Sequence, residues 1–154
     1  MVVNFNLSQI SNILKEMIGK KMPYRHFISS GHGRAVSLTV TGVTLGNGHD
    51  PNWPYITLRH DLKFEDGWIG DYCTNGESFF EHYQPEIQKC LNKEVFWAVA
   101  ADGVYPVLMD YATLKADHAW IICHDYKGTL IFETYARAQL CWYEKRDNGC
   151  WAAS

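Results

Sequence analysis

The segment DHAWIICHDYKGTLIFET, residues 117–134, decides how the chain is read. Apolar residues on either side of a turn-forming stretch predict two short strands, with His118 opening the first and Glu133 near the end of the second. Side chains on a strand share a face at every second position. His118, Trp120, Ile122 and His124 therefore form one set, and Thr129, Ile131, Glu133 and Tyr135 another. With Tyr126–Lys127 as the loop, or the four residues Asp125 to Gly128, residue 118 lies opposite 135 and 120 opposite 133. His118 and Glu133 are then diagonal neighbours on one face, with backbones about 7 Å apart. A loop of odd length would set them on opposite faces.

Working outward, Ile10, Ile13, Leu14, Met17 and Ile18 recur at helical spacing between Ser8 and Ile18. Asn6 or Ser8 is available to cap that helix and Gly19 to stop it, and the apolar stripe marks a core face. RAVSLTVTG alternates Val36, Leu38 and Val40 against Ser37, Thr39 and Thr41, and YITLRHDL shows the same period, so both read as half-buried strands. The Gly-, Asn- and Pro-rich GVTLGNGHDPNWP between them reads as a long connection. After the turn-like FEDGWIGDY comes Cys73, then a helical pattern of Phe79, Phe80, Tyr83, Ile87, Cys90 and Leu91 with Pro85 off the stripe. VFWAVAADGVYPVL predicts a hairpin about Asp102-Gly103, and LCWYEK a last strand. The order predicts an α+β fold: an antiparallel β-sheet with helices packed on one side.

The chain has 154 residues, 47% hydrophobic and 20% charged, with a formal charge of -3. That composition fits one globular domain, residues 1–154, with enough core to fold without disulfides or metals. There is no basic stripe with interleaved aromatics, and Lys20-Lys21 reads as a solvated helix end, so nucleic acid is not the expected partner. The start MVVNFNLSQI lacks the regions of a secretory signal, and no apolar run approaches bilayer length. A cytoplasmic protein without a membrane partner is expected. Five cysteines at irregular spacing, without a C-x-x-C, read as free thiols.

A carboxylate beside an imidazole fixes its tautomer and stabilises its cation, as in a nucleophile, base and carboxylate triad. Cys73 is the candidate nucleophile, because unpaired N–H groups and the dipole of a following helix, together with a nearby His118, favour a thiolate. The same N–H groups can hold an oxyanion.

The order Cys73, helix, strand, His118-Ala119-Trp120, turn and a strand ending in Glu133 resembles the transglutaminase-like branch of the papain-like cysteine enzymes. The spacings, 45 residues from Cys73 to His118 and 15 from there to Glu133, agree with that pattern, and the match covers residues 68–136. The resemblance implies a papain-like core, with Cys73 as nucleophile, His118 as acid and base, and Glu133 as orienter. Asn75, Tyr72 and Trp120 are then the candidates for oxyanion or substrate contacts. Such a site forms a thioester with an amide or peptide carbonyl and passes the acyl group to water or an amine. Protease, deamidase and acyl transferase all fit, on a protein or peptide substrate.

Each residue also has a plainer reading: His118 as a core histidine, Glu133 as a strand-end ion pair, Cys73 as a small hydrophobe. Cys123-His124 with His118, Cys141 or Cys150 lacks zinc-like spacing, and adjacent strand residues face opposite ways. The His-Asp dipeptides at 49, 60 and 124 lie in loops and strands, and SGHGRA (30–35) reads as a turn before a strand. No metal or cofactor is expected. The second functional expectation is a non-catalytic binding or inhibitor protein, of the kind phages and mobile elements carry, acting on a protein partner through exposed aromatics such as Trp53 and Tyr55.

Overall fold

The structure, a computed structural model, describes residues 3–25, 29–46, 55–110, 123–126 and 129–149. They divide into two compact units, the first Asn6–Leu91, the second Val3–Phe5 with the residues from Asn92 onward. The architecture is α+β with antiparallel sheets, as expected, but the strands form two sheets, one in each unit.

The first unit opens with helix α1 (Leu7–Glu16). Asn6 caps it reciprocally: its Oδ1 accepts from the Gln9 N–H at 2.8 Å, and Gln9 Oε1 accepts from the Asn6 N–H at 3.1 Å. Ile10, Ile13, Leu14 and Met17 are buried. Gly19, at φ 85, turns the chain away, and its N–H donates to the Val40 carbonyl at 2.8 Å.

Strands β1 (Lys21–Pro23), β2 (Ser29–Ser30), β3 (Gly33–Leu45), β4 (Ile56–Phe64) and β5 (Ile69–Asn75) follow. The path runs β1-β3-β4-β5, and β2 also pairs with β3. Strand β4 buries Ile56, Leu58, His60, Leu62 and Phe64 while Arg59 and Lys63 face out. Its buried face is covered by α1 and by helix α2 (Gly76–Leu91), which also pack on each other. The helices thus lie on one side of this sheet, as its one-sided apolar pattern requires.

The expected alternation in β3 holds for Leu38 and Val40 and fails at Val36, which is exposed, with Ser37 buried beside it. The cause is an extra residue. Ala35 pairs with Phe64 and Ser37 with Lys63, so Val36 bulges out of the ladder and its neighbours exchange faces. In α2 the backbone leaves helical values at Tyr83 (φ -110, ψ 15), two residues before Pro85. Proline lacks the N–H that would close this turn, and its ring crowds the carbonyl four residues back, which accounts for the kink.

The second unit holds β6 (Glu94–Ala100), β7 (Gly103–Met109), β8 (Cys123–Tyr126), β9 (Thr129–Phe132) and helix α3 (Tyr135–Asp147). The sheet order is β7-β6-β9-β8. Ala100 pairs with Gly103, so the β6–β7 turn is Ala101-Asp102, one residue earlier than the sequence suggests. Val99 and Phe132 pack with Ala138, Cys141 and Trp142 of α3, and Trp142 Nε1 donates to the Ala101 carbonyl at 3.2 Å.

Three further expectations are corrected in this unit. LCWYEK, read as a strand, lies inside α3. Strand β9 stops at Phe132; Glu133 sits in the bend before the capping Thr134, and Tyr135 opens the helix. The hairpin register also differs by two residues: the expected pairing sets Cys123 opposite Leu130, and the observed pairing sets it opposite Phe132. Among the described residues no helix is long and apolar enough to cross a membrane.

Candidate functional site

Of the residues read as catalytic from sequence, Cys73 lies within β5, paired with Arg59, and is exposed. It alternates with Tyr72 and Thr74, which puts its side chain with Arg59 and Asp71 on the polar face. Arg59 and Asp71 are paired at 2.6 Å, which holds the Asp71 carboxyl below its ordinary range and raises the guanidinium. The helix N–H groups that the sequence reading gave to Cys73 begin at Gly76, and Asn75 serves them: its Oδ1 accepts from the Ser78 N–H at 3.1 Å. Asn75 is therefore a helix cap here. Strand β5 reaches Asn75 because Thr74 and Asn75 pair with Leu58 and Thr57, so the thiol stays on the ladder.

Glu133 is exposed in the second unit. His118 and Trp120 lie outside the described residues, as does Trp53. Tyr55, the other aromatic of the binding reading, is exposed just before β4. Among the described residues no group of His, Cys, Asp and Glu is arranged to hold a metal ion.

The first unit contains a pocket that the sequence reading missed. It has a volume of about 250 Å³ and lies between the buried sheet face and α2. Its walls follow from the two periodicities. Leu62 and His60 project from alternate positions of β4, Tyr72 from β5, and Phe79 and Tyr83, four apart on α2, present one helix face. Tyr24, after β1, closes one side. The Phe79 and Tyr83 rings stack at 4.7 Å, Tyr24 and Tyr83 at 6.4 Å, and His60 and Tyr72 at 6.2 Å.

The segment after β1 fixes the back wall. The Arg25 N–H donates to the Tyr83 hydroxyl at 2.9 Å, the Arg25 guanidinium lies 4.6 Å above the Tyr83 ring, and it pairs with Glu86 at 2.8 Å. It also donates to the His82 carbonyl, at the kink of α2. His82 Nδ1 donates in turn to the Ser78 carbonyl at 2.7 Å.

His60 is the unusual member of the lining. It is 4% exposed, and its Nδ1 is sealed from solvent without a hydrogen bond of ordinary geometry to a described residue. Burial pulls its pKa below the ordinary histidine value, and the Leu58 carbonyl, Asp61 and Asp71 oppose this less strongly. The ring is therefore neutral at neutral pH. Burial, with Tyr83 and Tyr72 nearby, raises the Tyr24 phenol. The described lining includes no Lys, Arg, Asp or Glu. The sequence did hold one signal: His60 occupies an apolar-parity position in YITLRHDL.

From Tyr72 a strip of rings leads to the surface. Phe64 lies 6.4 Å from Tyr72 and 5.3 Å from Trp68, whose indole stacks on His32 at 4.4 Å. Gly70 makes this packing possible, since a Cβ there would meet Trp68 and Tyr72 at 2.7 Å. His32 Nδ1 pairs with Asp66 at 2.7 Å. Trp68 is 42% exposed and Ile69 57%.

The depressed pKa of His60 makes stability depend on pH. As pH falls below the unfolded value of about 6.5, the unfolded chain takes up a proton that the folded ring resists, so stability is lost from that point down to the folded pKa. Asp61 on β4 and Asp71 on β5 act on this ring electrostatically, Tyr72 on β5 stacks beside it, and Tyr83 and His82 on α2 line the same pocket. Urea unfolding in neutral and mildly acidic buffer should show a drop in midpoint that shrinks in His60→Phe. An equal drop in both proteins would refute this assignment.

Comparison with protein families, curated proteins and solved structures gives no match. The resemblance to transglutaminase-like enzymes therefore rests on its sequence motif.

Proposed function

We propose that the chain is a binding protein without catalysis of its own, and that the pocket of the first unit receives a small aromatic group of its partner. The observation that carries this is the pocket's form: ring-walled, about 250 Å³, and joined to an exposed strip of aromatics. Its volume is below the roughly 300–1,000 Å³ of pockets for drug-sized ligands and above the ~150 Å³ cavity that takes up benzene, so one ring is the fitting occupant. The exposed end of that strip, at Trp68, suits a partner's surface, as aromatic residues are enriched at interfaces. Cys73, Cys90 and Cys141 are free thiols, which supports a reducing, cytoplasmic setting.

Cys73 borders the pocket together with His60 and His82, but it stands on an exposed strand, and the following helix is capped by Asn75, which favours this reading over the cysteine enzyme. Two measurements test it on the full chain. Single-ring aromatic compounds should shift backbone amide resonances of residues 24, 60, 72, 79 and 83 and leave the second unit unmoved. Alkylation of Cys73 in mildly acidic buffer should proceed alike in the wild type and in His118→Ala. A panel that shifts nothing in the first unit would overturn the proposal, and so would selective Cys73 alkylation that disappears in the variant.

A further inference from the structure

Resting on the pocket as a binding site, we infer that the edge of β5 takes up an extended segment of a partner protein as an added antiparallel strand, one aromatic side chain of which enters the pocket. Strand β5 ends the sheet path, and no described strand pairs with its far side. The Phe64 N–H donates to the Trp68 carbonyl at 2.9 Å, and the register runs on from there without a shift. Gly70, Tyr72 and Thr74 therefore exchange hydrogen bonds with β4, while the N–H and C=O groups of Ile69, Asp71 and Cys73 point away from it. All three of these residues are exposed.

The two ends of the sheet are built differently. Strand β1 has three residues, among them Lys21 and Pro23, which discourage a further strand. Strand β5 has seven, with no lysine, proline or bulge, and its one charge, Asp71, is held by Arg59. An edge left open in this way is a template for strand addition.

The pocket lies at that same edge. Tyr72, Cys73 and Thr74 of β5 border it, across from Ser78 and His82 of α2. Consecutive side chains of a strand face opposite ways, so three in a row border a pocket only where it also meets the main chain. In an antiparallel addition the incoming residues opposite Tyr72 and Thr74 form the non-hydrogen-bonded pairs, whose side chains come closest and lie on the pocket's side. Those opposite Asp71 and Cys73 make the backbone bonds. One alternate set thus supplies affinity through the main chain, and the other supplies the ring. Trp68, packed over Gly70 on that face and 42% exposed, offers a surface to a second apolar side chain of the same set.

Titration of the full chain, followed by amide shifts, tests this. The probes are toluene, an end-blocked peptide Thr-Val-Thr-Phe-Thr-Val-Thr, the same peptide with alanine in place of phenylalanine, and two N-methylated forms of the phenylalanine peptide. One form is methylated at the two central threonines, the other at the two valines. We expect the phenylalanine peptide to shift residues 69, 71 and 73 as well as the pocket, and to bind roughly tenfold or more tightly than the alanine peptide. Methylation at the threonines, whose N–H groups face β5, should weaken binding roughly tenfold, and methylation at the valines should leave it within about twofold. Asp71→Pro removes an edge N–H without breaking the ladder to β4, so peptide binding should fall several-fold while toluene binds as before. If that variant does not fold, the methylated peptides still decide, because they leave the protein untouched. Toluene binding without peptide binding, equal affinity for the two unmethylated peptides, or equal loss from both methylations would overturn this inference and leave the pocket standing. So would a dimer held through β5, which would assign the edge to a second copy of the chain. Failure of every probe to bind in the first unit would overturn both.

Discussion

Phe64→Ala lowers the stability of the first unit by about 3–5 kcal/mol, the range for losing a buried phenylalanine. Phe64 is 1% exposed at the end of β4, opposite Ala35, and its ring meets Trp68, Tyr72 and His32 at centroid distances of 5.3, 6.4 and 6.4 Å. Alanine would remove the support beneath the whole strip. The small Ala35 across the ladder cannot fill the space, so the cavity persists. Whole domains are stable by only about 5–15 kcal/mol, so the variant should be partly unfolded or close to it. Denaturant titration followed by near-ultraviolet circular dichroism measures this. A loss below about 1 kcal/mol, the size of an ordinary substitution, would show that Phe64 is not the keystone of the ring packing.

Gly76→Ala should cost about 1–3 kcal/mol despite improving helix propensity. A Cβ at Gly76 would lie 2.4 Å from Ile56 Cγ2, 3.0 Å from Ile56 Cβ and 3.1 Å from the Ile56 carbonyl oxygen. Ile56 cannot withdraw easily: its side chain is fully buried, and its N–H donates to Glu77 Oε1 at 2.8 Å. The start of α2 and the start of β4 are thus held in direct contact. Replacing glycine by alanine in a helix gains up to about 1 kcal/mol, less than the overlap costs. Ile56→Ala removes the Cγ2 that clashes, so Gly76→Ala should cost less in that background than alone. Strict additivity of the two substitutions, measured by urea unfolding, would argue against this contact as the cause.

The legible parts of the fold were those with one-sided apolar patterning. Helix α1 shows its stripe and its Asn6 cap in plain sequence, and β4 alternates over its full length. Helix α3 has no such stripe: Ala138 is its buried residue, and its aromatics meet the sheet at the edges, so LCWYEK passed for a strand. The same missing signal led the strand reading past Phe132, through Glu133 to Tyr135. Val36 was misplaced because an extra residue is invisible to a period-two pattern. Cys73 was read as preceding a helix, which it does, but β4 extends the ladder through Asn75 and keeps the thiol on a strand.

The pocket was illegible for a different reason. Tyr24, His60, Tyr72 and Tyr83 stand on four separate segments, and each alone is an ordinary aromatic or core position. Their convergence depends on pairings between distant parts of the chain. In the sequence His60 is one of three His-Asp dipeptides, and it is the neighbours across the sheet and on α2 that set it apart.

The ladder between β3 and β4 skips once between Ala35 and Ser37 and again between Val40 and Gly42. Strand β3 therefore has slack at two places, where a residue could be lost and the remainder would still hold its orientation toward the neighbouring strand. Between them there is none, and a deletion at Leu38 would turn the segment up to the next skip inside out. Changes in chain length are absorbed at the irregular points of this sheet, while its regular stretch fixes the frame.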